Sequence, residues 1–129
     1  MTQEKFEMMA TERVKQIVNC ISREEYDRLL SVTQIDNSWC GEGGTQADGI
    51  NAFTEWLKEQ FALWTEEDGK DYVVDLFDKK WLQLDKLESN YAFATYSATS
   101  HGEMLDFWFE FELTVDENEQ LTAVLNVNI

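Results

Sequence analysis

The sequence predicts an α+β fold in which N-terminal helices pack on a curved antiparallel sheet formed mainly by the C-terminal third of the chain. Two observations lead to this prediction. Apolar residues recur at helical spacing in the first half of the chain, whereas beyond Lys86 apolar and polar residues alternate in runs separated by turn-like segments. The 129 residues contain no proline, internal repeat or linker-like tract, so a single domain spanning 1–129 is expected.

Three helices are expected before the sheet. Residues 3–21 carry apolar side chains three and four positions apart, which is typical of an amphipathic helix. A second helix is expected to begin at Ser22, because Ser22 and Glu25 match the S-x-x-E capping box. The third is predicted by apolar residues at helical spacing over 50–64, with Asp48 as its N-cap.

The remaining segments are expected to form a loop and four strands. Residues 35–45 contain three glycines in four positions and are predicted to be a loop. The strands are expected near 81–87, 90–99, 104–114 and 120–128, where β-branched and aromatic residues are frequent. The last three of these strands should form an antiparallel meander.

The alternation over 105–113 predicts which side chains of that strand are buried. Its odd positions are all apolar, so the odd side should face the core. The apolar sides of the last two strands coincide if a three-residue loop joins Asp116 to Gln120, with Asn118 in the left-handed conformation. The expected neighbours are then Phe111 with Leu125, Phe109 with Val127 and Phe107 with Ile129.

The charge balance restricts the classes of partner. Ten Lys and Arg residues stand against 26 Asp and Glu residues, which gives a formal net charge of −16. Such a surface repels phosphate backbones and anionic lipids, so nucleic-acid and membrane binding are not expected. It attracts a basic protein partner, although solubility alone is an alternative explanation. The chain has neither an apolar run of membrane-spanning length nor a signal-peptide pattern, and a cytoplasmic location is expected.

No cofactor or metal site is predicted. One histidine and two separated cysteines, Cys20 and Cys40, do not supply a tetrahedral zinc site. The glycines of 41–44 lack the Lys-Ser/Thr that follows in a phosphate-binding loop. His101 is the obvious candidate for a general base, but it falls in a predicted turn and is interpreted as a solvated side chain. A non-catalytic role is therefore favoured over an enzymatic one.

The distribution of acidic residues predicts a binding face. Residues 87–129 contain eight acidic residues and no Lys or Arg. If the odd side of strand 104–114 is buried, a tryptophan lies among carboxylates on the other side, which is typical of a binding patch. The alternative is that this tryptophan packs under a terminal segment or across a homodimer formed through the sheet face. The predicted contacts are Asp106, Trp108, Glu110 and Glu112 on the strand, with Asp116, Glu117 and Glu119 as the rim.

The order of elements, including the helical segment 49–57 written Gly-Ile-Asn-Ala-Phe-Thr-Glu-Trp-Leu, resembles the NTF2-like (cystatin-like α+β) superfamily. The resemblance covers most of the chain and is one of pattern. It implies a cone-shaped fold shared by small-molecule isomerases and dehydratases, binding domains, and immunity proteins that neutralise bacterial toxins. Enzymes of the group use an Asp or His in the cone, a position for which Asp36 is a loose candidate.

Two functional hypotheses follow. The first is an acidic, non-catalytic immunity-type or inhibitor protein that neutralises a basic toxin or nuclease. The second is an NTF2-like protein or enzyme that binds a small apolar molecule in an aromatic-lined pocket. The residues expected to line that pocket are Asp36, Trp39, Tyr96 and Phe107.

Overall fold

The computed structural model describes residues 1–129 and confirms the α+β class. Two α-helices and three short 3₁₀ helices accompany seven strands. The α-helices are α1 (Gln3–Ser22) and α2 (Gln46–Asp68), and the 3₁₀ helices span Tyr26–Ser31, Asn37–Trp39 and Lys79–Trp81. The strands are β1 (Gln34–Ile35), β2 (Leu82–Leu87), β3 (Tyr91–Tyr96), β4 (Thr99–Ser100), β5 (Glu103–Met104), β6 (Trp108–Val115) and β7 (Leu121–Asn128).

Helix α1 ends in a left-handed turn, which corrects the prediction of a helix beginning at Ser22. Ser22 is the last residue of α1, and Glu24 adopts a φ of 56°. The backbone N–H of Glu25 then donates to the carbonyl of Cys20 at 2.9 Å, which closes the helix in the manner of a Schellman motif. The following segment Tyr26–Ser31 is a 3₁₀ helix without a side-chain cap. The capping-box pattern is therefore not used, because the same residues close the preceding helix.

Helix α2 begins with a capping box of its own. Thr45 is the N-cap, and its hydroxyl accepts a hydrogen bond from the Asp48 backbone N–H at 3.1 Å. The Asp48 carboxylate accepts the Thr45 N–H at 2.9 Å in return. Asp48 is thus the third helical residue rather than the predicted N-cap. The helix ends at Asp68 and is capped by Gly69, which takes the left-handed φ of 70° that glycine adopts without strain.

The sheet has the strand order β1-β7-β6-β3-β2. The pairs β2–β3, β3–β6 and β6–β7 are antiparallel, as predicted, but β1 pairs with β7 in parallel and makes the sheet mixed. This strand lies at the start of the segment 35–45 that was predicted to be a loop. The predicted strand 90–99 ends at Tyr96, and β6 begins later than predicted because residues 99–104 form the small β4–β5 hairpin.

The register of the β6–β7 hairpin is confirmed. Its loop has three residues, and the Asp116 N–H donates to the Gln120 carbonyl at 3.1 Å. The left-handed residue is Glu119, with a φ of 60°, rather than Asn118, because the left-handed position of this turn is the third of the loop. The pairs Phe111 with Leu125 and Phe109 with Val127 form as expected, whereas Phe107 and Ile129 lie beyond the paired residues.

The core lies between the helices and one side of the sheet. It contains 23 buried apolar residues, most of them from α1, α2 and the inward positions of β1, β3, β6 and β7. Aromatic rings fill the end nearest α2, where Phe109 contacts both Phe53 and Phe107. Three tryptophans, Trp39, Trp56 and Trp64, pack against Phe53 or Phe107. None of the helices has the length and apolar character that a membrane span requires. The opposite side of the sheet carries no helix and is called the outer face below.

Candidate functional site

The outer face of the sheet is formed by the side chains that alternate with the buried ones. On β6 these include Trp108, Glu110 and Glu112, which interleave with the buried residues Phe109 and Phe111. Trp108 is 39% exposed, although most large apolar side chains of the chain are covered. The structure thus places three of the predicted contact residues on one solvent-facing surface.

A groove of about 230 Å³ runs across this face, and it is called the acidic groove below. Glu112 lies opposite Phe93 of β3 on one side and opposite Val124 of β7 on the other. The carboxylate therefore stands between two apolar side chains. The groove is lined by Asp36, Phe93, Glu110, Phe111, Glu112, Val124 and Asn126.

The parallel strand β1 brings Asp36 to the groove. Its residue Ile35 is in register with Leu125, and the Asp36 N–H donates to the Leu125 carbonyl at 2.8 Å. The side chain of Gln46 holds the other side of β1, because it bonds both the N–H and the carbonyl of Ile35 at 2.7 and 3.0 Å. Backbone hydrogen bonds and the first turn of α2 therefore fix the position of Asp36.

Trp39 contacts the groove residue Asn126 without lining the groove itself. Its indole N–H donates to Asn126 Oδ1 at 3.0 Å, and the same oxygen accepts the Val127 N–H at 2.9 Å. The indole ring also packs edge-on against Phe53 and Trp56, each with ring centres 5.8 Å apart. Trp39 thus links the core to the outer face and orients Asn126.

The carboxylates of the groove have no ion-pair partner. The four ion pairs of the chain involve Glu25, Asp78 and Glu119. Glu110 accepts only a weak hydrogen bond, from the Asn128 side chain at 3.3 Å. Lys86, opposite Phe93 on β2, is the only Lys or Arg in the five strands of this sheet. The groove therefore presents uncompensated negative charge to the solvent.

Asp106, a predicted contact, lies away from the groove. It precedes β6 and lines a separate depression together with Trp64, Tyr72 and Glu103. The hydrogen bond from Tyr72 to Asp68, burial, and the negative charges of Asp68, Glu103 and Asp106 raise the pKa of Tyr72 to about 12. The depression is thus strongly negative as well, but it belongs to the end of α2 rather than to the outer face.

The predicted rim residues mainly stabilise the hairpin turn. Asp116 Oδ1 accepts two backbone N–H groups of the turn, each at 2.9 Å. Glu119 pairs with Lys5 of α1 at 3.0 Å, and this hydrogen bond and charge hold the pKa of Glu119 below its usual value. Glu117 makes no hydrogen bond or ion pair and is exposed. Of the three rim residues, only Glu117 therefore has a carboxylate without a hydrogen bond or ion pair.

The residues predicted to line an apolar pocket are separated in the structure. The Tyr96 ring is buried against Phe77, with ring centres 5.3 Å apart, and its hydroxyl accepts the Asp78 N–H at 3.0 Å. Phe107 is 2% exposed within the aromatic cluster. Of the four predicted pocket residues, Asp36 alone lines the acidic groove, on the other side of the sheet from the core.

No group of three or more His, Cys, Asp and Glu side chains has an arrangement that could hold a metal ion. Cys20 and Cys40 are free thiols. His101 lies in the β4–β5 turn, where a ring nitrogen is 3.0 Å from the Asp71 carbonyl oxygen.

Sequence reasoning missed Phe93, Val124 and Asn126 as groove residues. The first follows from the alternation of residues 91–96, whose buried positions are the even ones, and the other two follow from the confirmed β6–β7 register. Comparisons of the chain with protein-family models, with curated proteins and with solved structures find no match.

Proposed function

We propose that this protein is a non-catalytic binding module whose outer face binds a basic protein, in the manner of an immunity or inhibitor protein that blocks a toxin or nuclease. The observation that supports it most directly is the acidic groove. Three carboxylates, those of Asp36, Glu110 and Glu112, converge there on a sheet face that no helix covers, and none of them has an ion-pair partner.

The mechanism is electrostatic attraction followed by steric blocking. A net charge of −16 attracts a basic partner over distances of about a Debye length, roughly 8 Å at physiological salt. The outer face then supplies contact area, because Trp108 is 39% exposed next to the carboxylates. Aromatic side chains surrounded by polar ones are the usual centres of binding energy in protein interfaces.

A basic partner is favoured over a second copy of the chain. In a two-fold symmetric contact through the outer face, each copy would place the same patch against its counterpart. Glu110 and Glu112 of both copies would then approach one another, and Lys86 is the only Lys or Arg in the strands of each sheet to offset them. The charges on this face thus support a heterologous partner.

Two further features belong to the proposal. The order of helices followed by a C-terminal sheet supports membership of the NTF2-like superfamily, within which binding proteins are expected as well as enzymes. A cytoplasmic location is consistent with two free thiols, Cys20 and Cys40, since reduced cysteines are the norm there.

The experiment compares two variants of equal net charge in capture of partners from the host's own lysate, followed by kinetics with the purified partner. The face variant neutralises the groove. It carries Asp36→Asn, Glu110→Gln and Glu112→Gln. The matched control removes three exposed carboxylates from the helices. It carries Glu7→Gln, Glu55→Gln and Glu59→Gln.

We expect the chain to retain a stoichiometric basic protein at low salt. The association rate should fall about tenfold or more in the face variant and should change little in the control. Equal losses in the two variants would show that only the total charge matters. Absence of any specific basic partner at low and at physiological salt would contradict the proposal.

A further inference from the structure

The acidic groove combines a flat aromatic surface with carboxylates on the same side of the sheet. Phe93 is partly exposed there, and Glu112 is its direct neighbour across the β3–β6 pair. Glu110 lies two residues along β6 on the same side, opposite Thr95. Residues two apart on a strand are about 7 Å apart, so the carboxylates of Glu110 and Glu112 occupy neighbouring positions near the Phe93 ring.

An aromatic ring beside carboxylates favours arginine over lysine. The guanidinium group of arginine is planar and weakly hydrated, stacks on aromatic faces and donates two parallel hydrogen bonds to one carboxylate. The ammonium group of lysine is a compact and strongly hydrated charge that gains less from a ring and loses more on desolvation. Apolar neighbours on both sides of Glu112, namely Phe93 and Val124, increase that desolvation.

We infer that the side chain of the basic partner that enters the acidic groove is an arginine, which stacks on Phe93 and bonds the carboxylates of Glu110 and Glu112. The inference rests on the proposed function and names the chemistry of the contact. The third carboxylate, Asp36, lies across the groove on the β1 side and adds attraction for a cation without contacting the ring position. The position of each group depends on backbone pairing rather than on a mobile loop.

The test uses hexa-arginine and hexa-lysine peptides, which carry the same charge, with binding measured by calorimetry at low salt. We expect hexa-arginine to bind about threefold tighter or more. Phe93→Leu should reduce this preference and lower hexa-arginine affinity more than hexa-lysine affinity, and Phe93→Tyr, which retains a ring, should keep the preference. Amide NMR shifts on β3 and β6 should locate the contact.

The outcomes separate the inference from the proposed function. Equal affinities of the wild-type protein for the two peptides would overturn the arginine assignment and leave a basic partner in place. A preference that is undiminished in Phe93→Leu would also overturn it, provided that circular dichroism shows the variant to be folded. If the face variant and the helix control lose equal affinity for both peptides, the acidic groove is not the binding site and the proposed function fails with it.

Discussion

Asp75 organises the segment between α2 and β2, and its replacement by asparagine should destabilise the protein by about 2 kcal/mol. One carboxylate oxygen accepts the Thr99 hydroxyl at 2.7 Å and the Gly102 N–H at 2.8 Å, and the other accepts the His101 N–H at 3.0 Å. The Asp75 N–H donates to the Thr99 carbonyl at 2.9 Å. The side chain thereby holds the irregular segment to the β4–β5 hairpin.

The magnitude follows from the loss of acceptors. An asparagine keeps one oxygen, so its amide N–H₂ must face at least one of the donors that the carboxylate now satisfies. The variant loses one hydrogen bond to a charged group, and the remaining bonds lose their charge assistance. Because Asp75 is only partly buried, water can reach part of the site, which keeps the expected loss near the lower end of the range for such bonds.

The pH dependence provides the sharper test. Burial raises the pKa of Asp75, but the hydrogen bonds from Gly102, Thr99 and His101 and the nearby His101 ring together outweigh it and leave the pKa lowered. A lowered folded-state pKa contributes stability that is complete above the unfolded value of about 3.9 and is lost as the pH falls through the folded value. The difference between wild type and Asp75→Asn should therefore shrink as the pH falls below about 4.

Urea unfolding followed by tryptophan fluorescence at a series of pH values measures both effects. Asp71→Asn is the matched control, because Asp71 lies in the same segment with a side chain that makes no hydrogen bond or ion pair. It should change stability by less than about 0.5 kcal/mol. The reasoning is refuted if the two variants lose equal stability, or if the loss in Asp75→Asn stays constant through the acidic range.

Three further substitutions test local features by urea unfolding followed by circular dichroism. Glu24→Gly should stabilise the protein by about 1 kcal/mol, since glycine takes a φ of 56° without strain, and an unchanged midpoint would contradict this. Thr45→Ala should cost about 1 kcal/mol by removing the α2 cap, whereas Thr45→Ser should be nearly neutral. Trp39→Phe should cost about 1 kcal/mol and shift the Asn126 side-chain amide resonances, and unshifted resonances would show that the indole hydrogen bond is absent.

The features that the sequence predicts well are those decided within one element. The odd positions of β6 are buried because side chains of a strand alternate, and the loop length then follows from matching the apolar sides of β6 and β7. The capping pattern at Ser22 failed because two local structures compete for the same residues, and the turn that closes α1 prevails. Nothing in a local pattern decides between them.

The acidic groove was predicted only in part, and the reason is topological. Glu110 and Glu112 follow from the alternation of β6, so their shared face was expected. The sequence predicts Asp36 in an apolar pocket and not in the groove. Its true position depends on the parallel pairing of β1 with β7, which are about 90 residues apart in the chain. A two-residue strand has no periodicity to reveal it, and its partner cannot be read from its own residues.

The position of β7 between β1 and β6 also has a consequence for biosynthesis. Strand β1 is made early, yet it has no partner until residues 121–128 have left the ribosome. Until then β1 and one edge of β6 lack their hydrogen-bonding partner, and such unpaired strand edges are prone to aggregate. Final assembly of the sheet, and with it the juxtaposition of Asp36 with Glu110 and Glu112, should therefore follow the emergence of β7 from the ribosome.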